Sequence, residues 1–138
     1  MLETNVLAPG FVGHGSTSAQ LIDFWRQGVY DLVVSDHLLQ ELARTFTDRY
    51  YARRVPRADA EAILMLLGEE AFVASLTAEV HGVATHPEDD VILATALSGR
   101  ASMICTRDKQ LLKLGQYQGV KILTPGALLA LLTPDVSL

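Results

Sequence analysis

The chain contains a single cysteine, Cys105, so it cannot form a disulfide within itself. A lone thiol fits a reducing, cytoplasmic setting. No apolar run approaches the roughly 20 residues that a helix needs to cross a bilayer, and no membrane-spanning segment is expected. The first residues also lack a basic stretch followed by a long apolar run, so the sequence predicts no signal peptide.

Basic residues are fewer than acidic ones, 11 against 16, which gives a net charge of -5. This balance argues against a protein that coats DNA or RNA, because such proteins carry a basic surface. It does not exclude an enzyme that cuts nucleic acid, since metal-binding carboxylates make such an enzyme acidic. The four histidines lack the HxxxH and HExxH spacings of zinc sites. The segment GHGSTS lacks the lysine of a phosphate-binding loop and offers Ser16 or Ser18 as a helix cap instead.

Hydrophobic residues make up 49% of the 138 residues, enough to build the core of one domain over residues 1–138. Short β-branched runs alternate with helical patterns along the chain. Strands are predicted at the end of LETNVL and at 31–35, 72–77, 101–106 and 120–125. Helices are predicted at SAQLIDFWRQG, DHLLQELARTF, 58–71, 89–100, DKQLLKLG and GALLALL. This alternation predicts an α/β fold, with a parallel sheet covered by helices on both faces.

Acidic residues fall where the strands of such a sheet would end, which is where open parallel sheets bind ligands. Glu3 lies near the end of the first strand, Glu41 early in the helix after DLVVS, and Asp108 just past ASMICT. Asp89 and Asp90 open the buried helix that leads into ASMICT. Taken singly, these acids are interpreted as solvated residues or helix caps.

Together, carboxylates from separate segments would repel one another unless a divalent cation neutralised them. Mg²⁺ and Mn²⁺ prefer oxygen ligands and keep several waters. The joint pattern therefore favours a metal site suited to phosphodiester hydrolysis.

Several segments of the chain resemble the PIN domain family, the metal-dependent ribonuclease fold of VapC-type toxins. ETNVL is similar to the family's DTNVL opening, and SDHLLQEL to its second helix, whose glutamate is here Glu41. HPEDDVILATAL is similar to the segment with the third acid, placed at Asp90. ICTRDKQLLKLG is similar to the stretch with the fourth acid, Asp108, and VKILTPGALLALL to the final strand and helix.

The resemblance implies a three-layer α/β/α sandwich with a central parallel sheet of about five strands. It also implies cleavage of single-stranded RNA with Mg²⁺ or Mn²⁺, a small antitoxin protein as partner, and a homodimer. The implied catalytic residues and metal ligands are Glu3, Glu41, Asp90 and Asp108. The implied supporting residues are Asn5, Thr106 and Asp89.

The chain departs from the family pattern in three places. Glu3 replaces the usual aspartate, and the extra methylene moves the carboxylate by about an ångström. Only Met1 and Leu2 precede it, where the family has a longer first strand, and Gln110 stands where many relatives carry a further aspartate. These departures leave one alternative open, a catalytically degenerate PIN-like domain that binds RNA or a protein without cutting.

A response-regulator receiver, another α/β class with clustered acids, is disfavoured. No acid pair accompanies the first strand, and no lysine ends the last one.

Five of the 11 basic residues fall between positions 44 and 57, with Tyr50 and Tyr51 among them. One interpretation is a solvated helix end. The other is an edge that contacts RNA phosphates, with the tyrosines stacking on bases. The predicted RNA-binding residues are Arg44, Arg49 and Arg53.

Overall fold

The computed structural model describes residues 1–84 and 86–133, in which helices alternate with short strands. The helices are α1 (Thr4–Val12), α2 (Thr17–Arg26), α3 (Asp36–Thr47), α4 (Arg49–Ala52), α5 (Arg57–Glu70), α6 (Pro87–Ser98), α7 (Lys109–Leu114) and α8 (Pro125–Leu132). The strands are β1 (Val33–Ser35), β2 (Phe72–Ala74), β3 (Met103–Cys105), β4 (Gln116–Tyr117) and β5 (Val120–Leu123). The predicted mixed α/β class is confirmed.

The strands form two small sheets, whereas the sequence predicted one central parallel sheet of about five strands. β1 pairs with β2 in parallel, and β3 pairs with β5 in parallel. Residues 1–3 run beside β3 but make only an isolated parallel bridge, between Leu2 and Cys105. Because the described strands are only two to four residues long, their ladders do not join into a continuous sheet.

β4 also corrects the expectation of an all-parallel arrangement, because it pairs antiparallel with β5. The two residues between these strands, Gln118 and Gly119, have φ angles of 46° and 83°. Two successive positive φ values are characteristic of a tight hairpin turn whose twist suits antiparallel strands. This two-residue turn therefore sets the direction of β4.

The first strand is shorter than predicted because α1 begins directly after Glu3. The N–H of Glu3 donates to the carbonyl of Cys105 at 3.0 Å, and the N–H of Cys105 donates to the carbonyl of Met1 at 2.8 Å. Pairing then stops, since Thr4 is already helical. Pro9 lies inside α1 and removes one intrahelical hydrogen bond, which is why the sequence did not suggest a helix here.

α1 packs closely on the start of α2, and glycine at position 10 makes this approach feasible. A Cβ atom at Gly10 would lie 2.4 Å from Cδ1 of Ile22 and 2.9 Å from the carbonyl oxygen of Ser18. α2 is capped by Ser16, whose hydroxyl accepts from the N–H of Ala19 at 3.1 Å. Of the two predicted caps, the structure therefore uses Ser16.

α3 and α6 are joined through the residue that caps α3. The Ser35 hydroxyl accepts from the N–H of Leu38 at 3.2 Å and from the hydroxyl of Thr95 at 3.3 Å. α6 is buried along most of its length, as its apolar composition predicted. This contact fixes the start of α3 against the C-terminal half of α6.

Within the part of the chain that the structure describes, no helix is both long enough and apolar enough to cross a membrane.

Candidate active site

Glu3 lies between the bridge to β3 and the first turn of α1, and its side chain is only 6% exposed. Its Oε2 accepts hydrogen bonds from the Thr106 hydroxyl and from the Asn5 side-chain amide, the latter at 3.3 Å. The Asn5 amide also contacts the Thr106 hydroxyl at 3.3 Å. The structure thus brings two of the predicted supporting residues into contact with Glu3, and their bonds fix the direction of its carboxylate.

The Glu3 carboxyl lies near three other acids. Burial, together with the negative charges of Glu41, Asp108 and Asp89, raises the pKa of Glu3 to about 7, while the hydrogen bond from Thr106 opposes the increase. These acids come from α3, from the turn before α7 and from α6. The acid cluster is defined here as Glu3 and the three acids whose charges act on it, Glu41, Asp89 and Asp108, and its members come from four separate segments.

Glu41 lies in the second turn of α3 and is half-buried. Burial raises its pKa, and the charges of Glu88 and Asp89 raise it further, while His37 and Arg44 lower it. The charges of Glu88 and Asp89 at the start of α6 therefore act on the half-buried Glu41 carboxyl.

Asp108 follows β3 and caps α7. Its Oδ1 accepts from the N–H groups of Gln110 at 2.8 Å and Leu111 at 3.4 Å. Its own N–H donates to the Thr106 hydroxyl at 3.0 Å, which links it to Glu3 through one side chain. Asp108 is thus both a helix cap and a member of the acid cluster.

Asp90, expected to be the third acid of the site, bonds to a loop instead. Its Oδ1 accepts from the N–H of Ala84 at 2.7 Å, and its Oδ2 accepts from the N–H of Gly82 at 3.0 Å. Both carboxylate oxygens are therefore used by the backbone that precedes α6. Each oxygen keeps a further lone pair, so Asp90 stays a predicted member of the site.

Asp89, expected to support the site, is buried at the start of α6. It is 6% exposed, and within residues 1–84 and 86–133 its Oδ2 is buried without a hydrogen-bond partner. Burial raises its pKa, and the charge of Asp108 raises it further. The two adjacent acids of PEDD thus have different surroundings, because neighbouring residues of a helix face different directions.

The donor atoms of the acid cluster are all carboxylate oxygens, the ligands that hard divalent cations prefer. Among the described residues, no three acidic, histidine or cysteine side chains are arranged to hold one metal ion together. Mg²⁺ does not require such a cage, because it keeps several waters and binds through one or two carboxylates. The buried, unpartnered oxygen of Asp89 is the observation that best fits a cation here.

The predicted RNA-binding arginines lie beyond the acid cluster. Arg44 is exposed on α3, and its charge acts on Glu41. Arg49 begins α4 and Arg53 is the residue after its last one, and both are exposed. The three arginines thus belong to α3, to α4 and to the C-cap of α4.

The two tyrosines of this region contact each other. The rings of Tyr50 and Tyr51 meet edge to face, with centroids 4.9 Å apart. The guanidinium of Arg54 lies 3.7 Å from the centroid of the Tyr50 ring. Tyr50 is exposed, so its ring borders solvent beside the basic residues.

The fold and the site together define an α/β protein with carboxylates at the carboxyl ends of its strands. A family model described as PIN domain matches residues 1–110, and the chain belongs to that family. The matched range includes all four members of the acid cluster. PIN domains are generally nucleases, so the match supports a nuclease-type protein. No curated protein and no solved structure matches the chain.

Proposed function

We propose that the chain is a metal-dependent endoribonuclease that hydrolyses phosphodiester bonds of single-stranded RNA. The observation that supports this best is the burial of Glu3 among Glu41, Asp89 and Asp108. Burial raises the pKa of Glu3 and of Asp89, and the negative charges of neighbouring carboxylates raise both pKa values further. A bound cation would remove that repulsion, and perturbed carboxylates in a cluster favour a functional site.

Mg²⁺ or Mn²⁺ would bind through one or two carboxylates of the acid cluster and keep several waters. Asp89 would be a direct ligand, because its Oδ2 has no partner among the described residues, with Glu3, Asp108 and Glu41 around it. When bound, the cation would lower the pKa of a water molecule and neutralise charge on the phosphate.

The neighbouring side chains would orient the ligands. Thr106 donates to Glu3 and accepts from the N–H of Asp108, so one hydroxyl positions two acids. Asn5 bonds both Glu3 and Thr106 and prevents the Glu3 side chain from rotating freely. Such hydrogen bonds to metal ligands typically change metal affinity or activity by about 10- to 100-fold.

We further propose that the protein is a VapC-type toxin neutralised by a small antitoxin protein, and that it forms a homodimer. The resemblance of its four acid-bearing segments to that group supports the first proposal. Exposed apolar side chains such as Met65 (64%) and Phe72 (58%) support the second. A neighbouring gene for a small DNA-binding protein, and a dimer mass in light scattering at micromolar concentration, would be the expected results.

A second candidate function is a degenerate PIN domain that binds RNA or a protein without cutting. Two observations favour it: Glu3 replaces the usual aspartate, and the described residues include no group of three preformed ligands. In that case Glu3 would serve the fold through Thr106 and Asn5 alone. RNA binding without cleavage would distinguish this candidate from the first.

The decisive experiment is a cleavage assay on single-stranded RNA with Mn²⁺, with and without EDTA. The proposed function predicts cleavage that EDTA stops and that Asp89→Asn removes. Asp59→Asn is the matched control, because Asp59 is exposed on α5 and lies outside the acid cluster. Cleavage that persists in EDTA, or that Asp89→Asn leaves unchanged, would contradict the proposal.

A further inference from the structure

Arg107 stands in the middle of the site, between Thr106 and Asp108. Its backbone N–H donates to Oδ1 of Asn5 at 3.1 Å. Its guanidinium donates to the hydroxyl of Ser18 at 2.9 Å. Ser18 is fully buried at the start of α2, so the guanidinium is held at a fixed point beside the acid cluster.

The charge of Arg107 is not used to neutralise the acids around it. No carboxylate among the described residues forms an ion pair with it. The bond to Ser18 uses one of the five N–H donors of a guanidinium, and its partner is neutral. The residue is also exposed, so a ligand can reach the side chain. An arginine whose role was only to balance the acid cluster would pair with one of its members.

Arg107 also lies near the tyrosines of α4. Its positive charge lowers the pKa of Tyr51, against the effect of burial. Tyr51 in turn meets Tyr50, whose ring is exposed. The charge of Arg107 therefore acts on an aromatic residue of α4, while its backbone bonds Asn5 within the site.

We propose that Arg107 is a substrate-binding residue whose guanidinium binds a phosphodiester group of the RNA strand, next to the group that is cut. The planar guanidinium matches the geometry of two phosphate oxygens, which a neutral or single-point donor does not. The contact would hold the RNA strand in register with the acid cluster. A positively charged side chain suits this role, because the surrounding carboxylates would otherwise repel the phosphate. This inference rests on the proposed function of the acid cluster.

Arg107→Met tests the inference, because methionine keeps much of the length and loses the charge. The matched control is Arg100→Met, which removes the same charge from an exposed residue at the opposite end of β3. The substrate is a single-stranded oligoribonucleotide with Mn²⁺, and KM, kcat and RNA affinity are measured over a range of salt concentrations. Arg107→Lys is the third variant, because it keeps the charge without the planar fork.

For Arg107→Met we expect KM and Kd to rise about tenfold, the effect of losing one hydrogen bond to a charged group. The slope of log Kd against log salt should shrink by about 0.7, the value for one phosphate contact on a single strand. Arg107→Lys should keep the parent's salt slope with weaker binding, and Arg100→Met should behave as the parent. A smaller slope of log Kd against log salt in Arg107→Met alone would indicate a lost phosphate contact rather than altered folding.

The outcomes separate this inference from the proposed function. If the parent cuts RNA and Arg107→Met has the parent's KM and salt slope, the inference is overturned and the function stands. If the parent binds RNA without cutting it, the proposed ribonuclease function is wrong. The role of Arg107 is then judged from the Kd values and the salt slopes of the parent and the variants. If the parent binds no RNA, both are overturned. A melting temperature equal to the parent's shows that the methionine variant is folded, and otherwise the lysine variant decides.

Discussion

Replacing Glu3 with glutamine removes one buried charge and keeps the length of the side chain. In the metal-free protein, burial raises the pKa of Glu3 from 4.5 to about 7. Between about pH 4.5 and pH 7, the Glu3 carboxyl is protonated in the folded state and ionised in the unfolded chain. The stabilisation from this proton is therefore fully present below about pH 4.5 and is lost as the pH rises through about 7.

The size of this effect follows from the two pKa values. A pKa change of one unit corresponds to about 1.4 kcal/mol, so the rise in the pKa of Glu3 from 4.5 to about 7 corresponds to about 3 kcal/mol of unfolding free energy. That is a large fraction of the unfolding free energy of a typical domain, which is about 5–15 kcal/mol. The glutamine variant lacks the group that titrates, so its stability should fall less than the parent's from pH 5 to pH 8. Its side-chain oxygen can still accept the bond from Thr106, which limits the structural change.

The measurement is urea unfolding in EDTA at several values between pH 5 and pH 8, and the difference between parent and variant isolates Glu3. Glu69→Gln is the matched control, because Glu69 is exposed on α5 and away from the acid cluster. Its stability should change with pH as the parent's does. If Glu3→Gln loses as much stability as the parent over this range, Glu3 does not titrate as its burial requires.

The remaining predictions concern the ligand set and the packing. Asp89→Asn should slow cleavage by more than about 100-fold with little change in melting temperature, because outer-shell partners of a metal alone account for about 10- to 100-fold. Asp90→Asn should instead destabilise the fold by about 1–3 kcal/mol, since its amide would oppose one of two loop N–H donors. Glu3→Asp should lower the cleavage rate, because the shorter side chain would draw the carboxylate away from the Thr106 hydroxyl and the Asn5 amide that orient it; a rate at or above the parent's would contradict this. Gly10→Ala should lower the melting temperature through overpacking, whereas Gly68→Ala, where a Cβ meets open space in α5, should raise it.

Much of the fold could be predicted because local pattern and tertiary packing agree. The helical periodicity of α3 and the apolar run of α6 are both realised, and β1, β3 and β5 lie within the predicted ranges. α1 could not be predicted in this way, because Pro9 normally ends helices and tertiary contacts with α2 stabilise this one instead. β4 was missed because two residues are too few for any pattern, and the turn at Gln118 and Gly119 determines its pairing.

The sequence could predict the segments of the candidate site, whereas the residues assigned within them stay predictions. In the structure the charges of Glu41 and Asp108 act on the buried Glu3, as a shared site would require. PEDD offers adjacent acids about 100° apart on the helix, so the sequence alone cannot tell which one faces the other acids. The bonds of Asp90 to the backbone at residues 82 and 84 could not be predicted, because the path of that loop has no signature in the sequence.

The extra methylene of Glu3 is best understood together with the short first strand. Residues 1–3 pair with β3 only as far as Cys105, and the chain then turns at once into α1. The carboxylate must therefore extend from the last paired residue to the hydroxyl of Thr106, one position beyond the end of β3. Glutamate makes this contact while Asn5, on the first turn of α1, supplies a second donor to the same oxygen. The length of the side chain, the early start of α1 and the position of Thr106 thus form one arrangement, in which the acid is held by the ends of two elements rather than by a long strand.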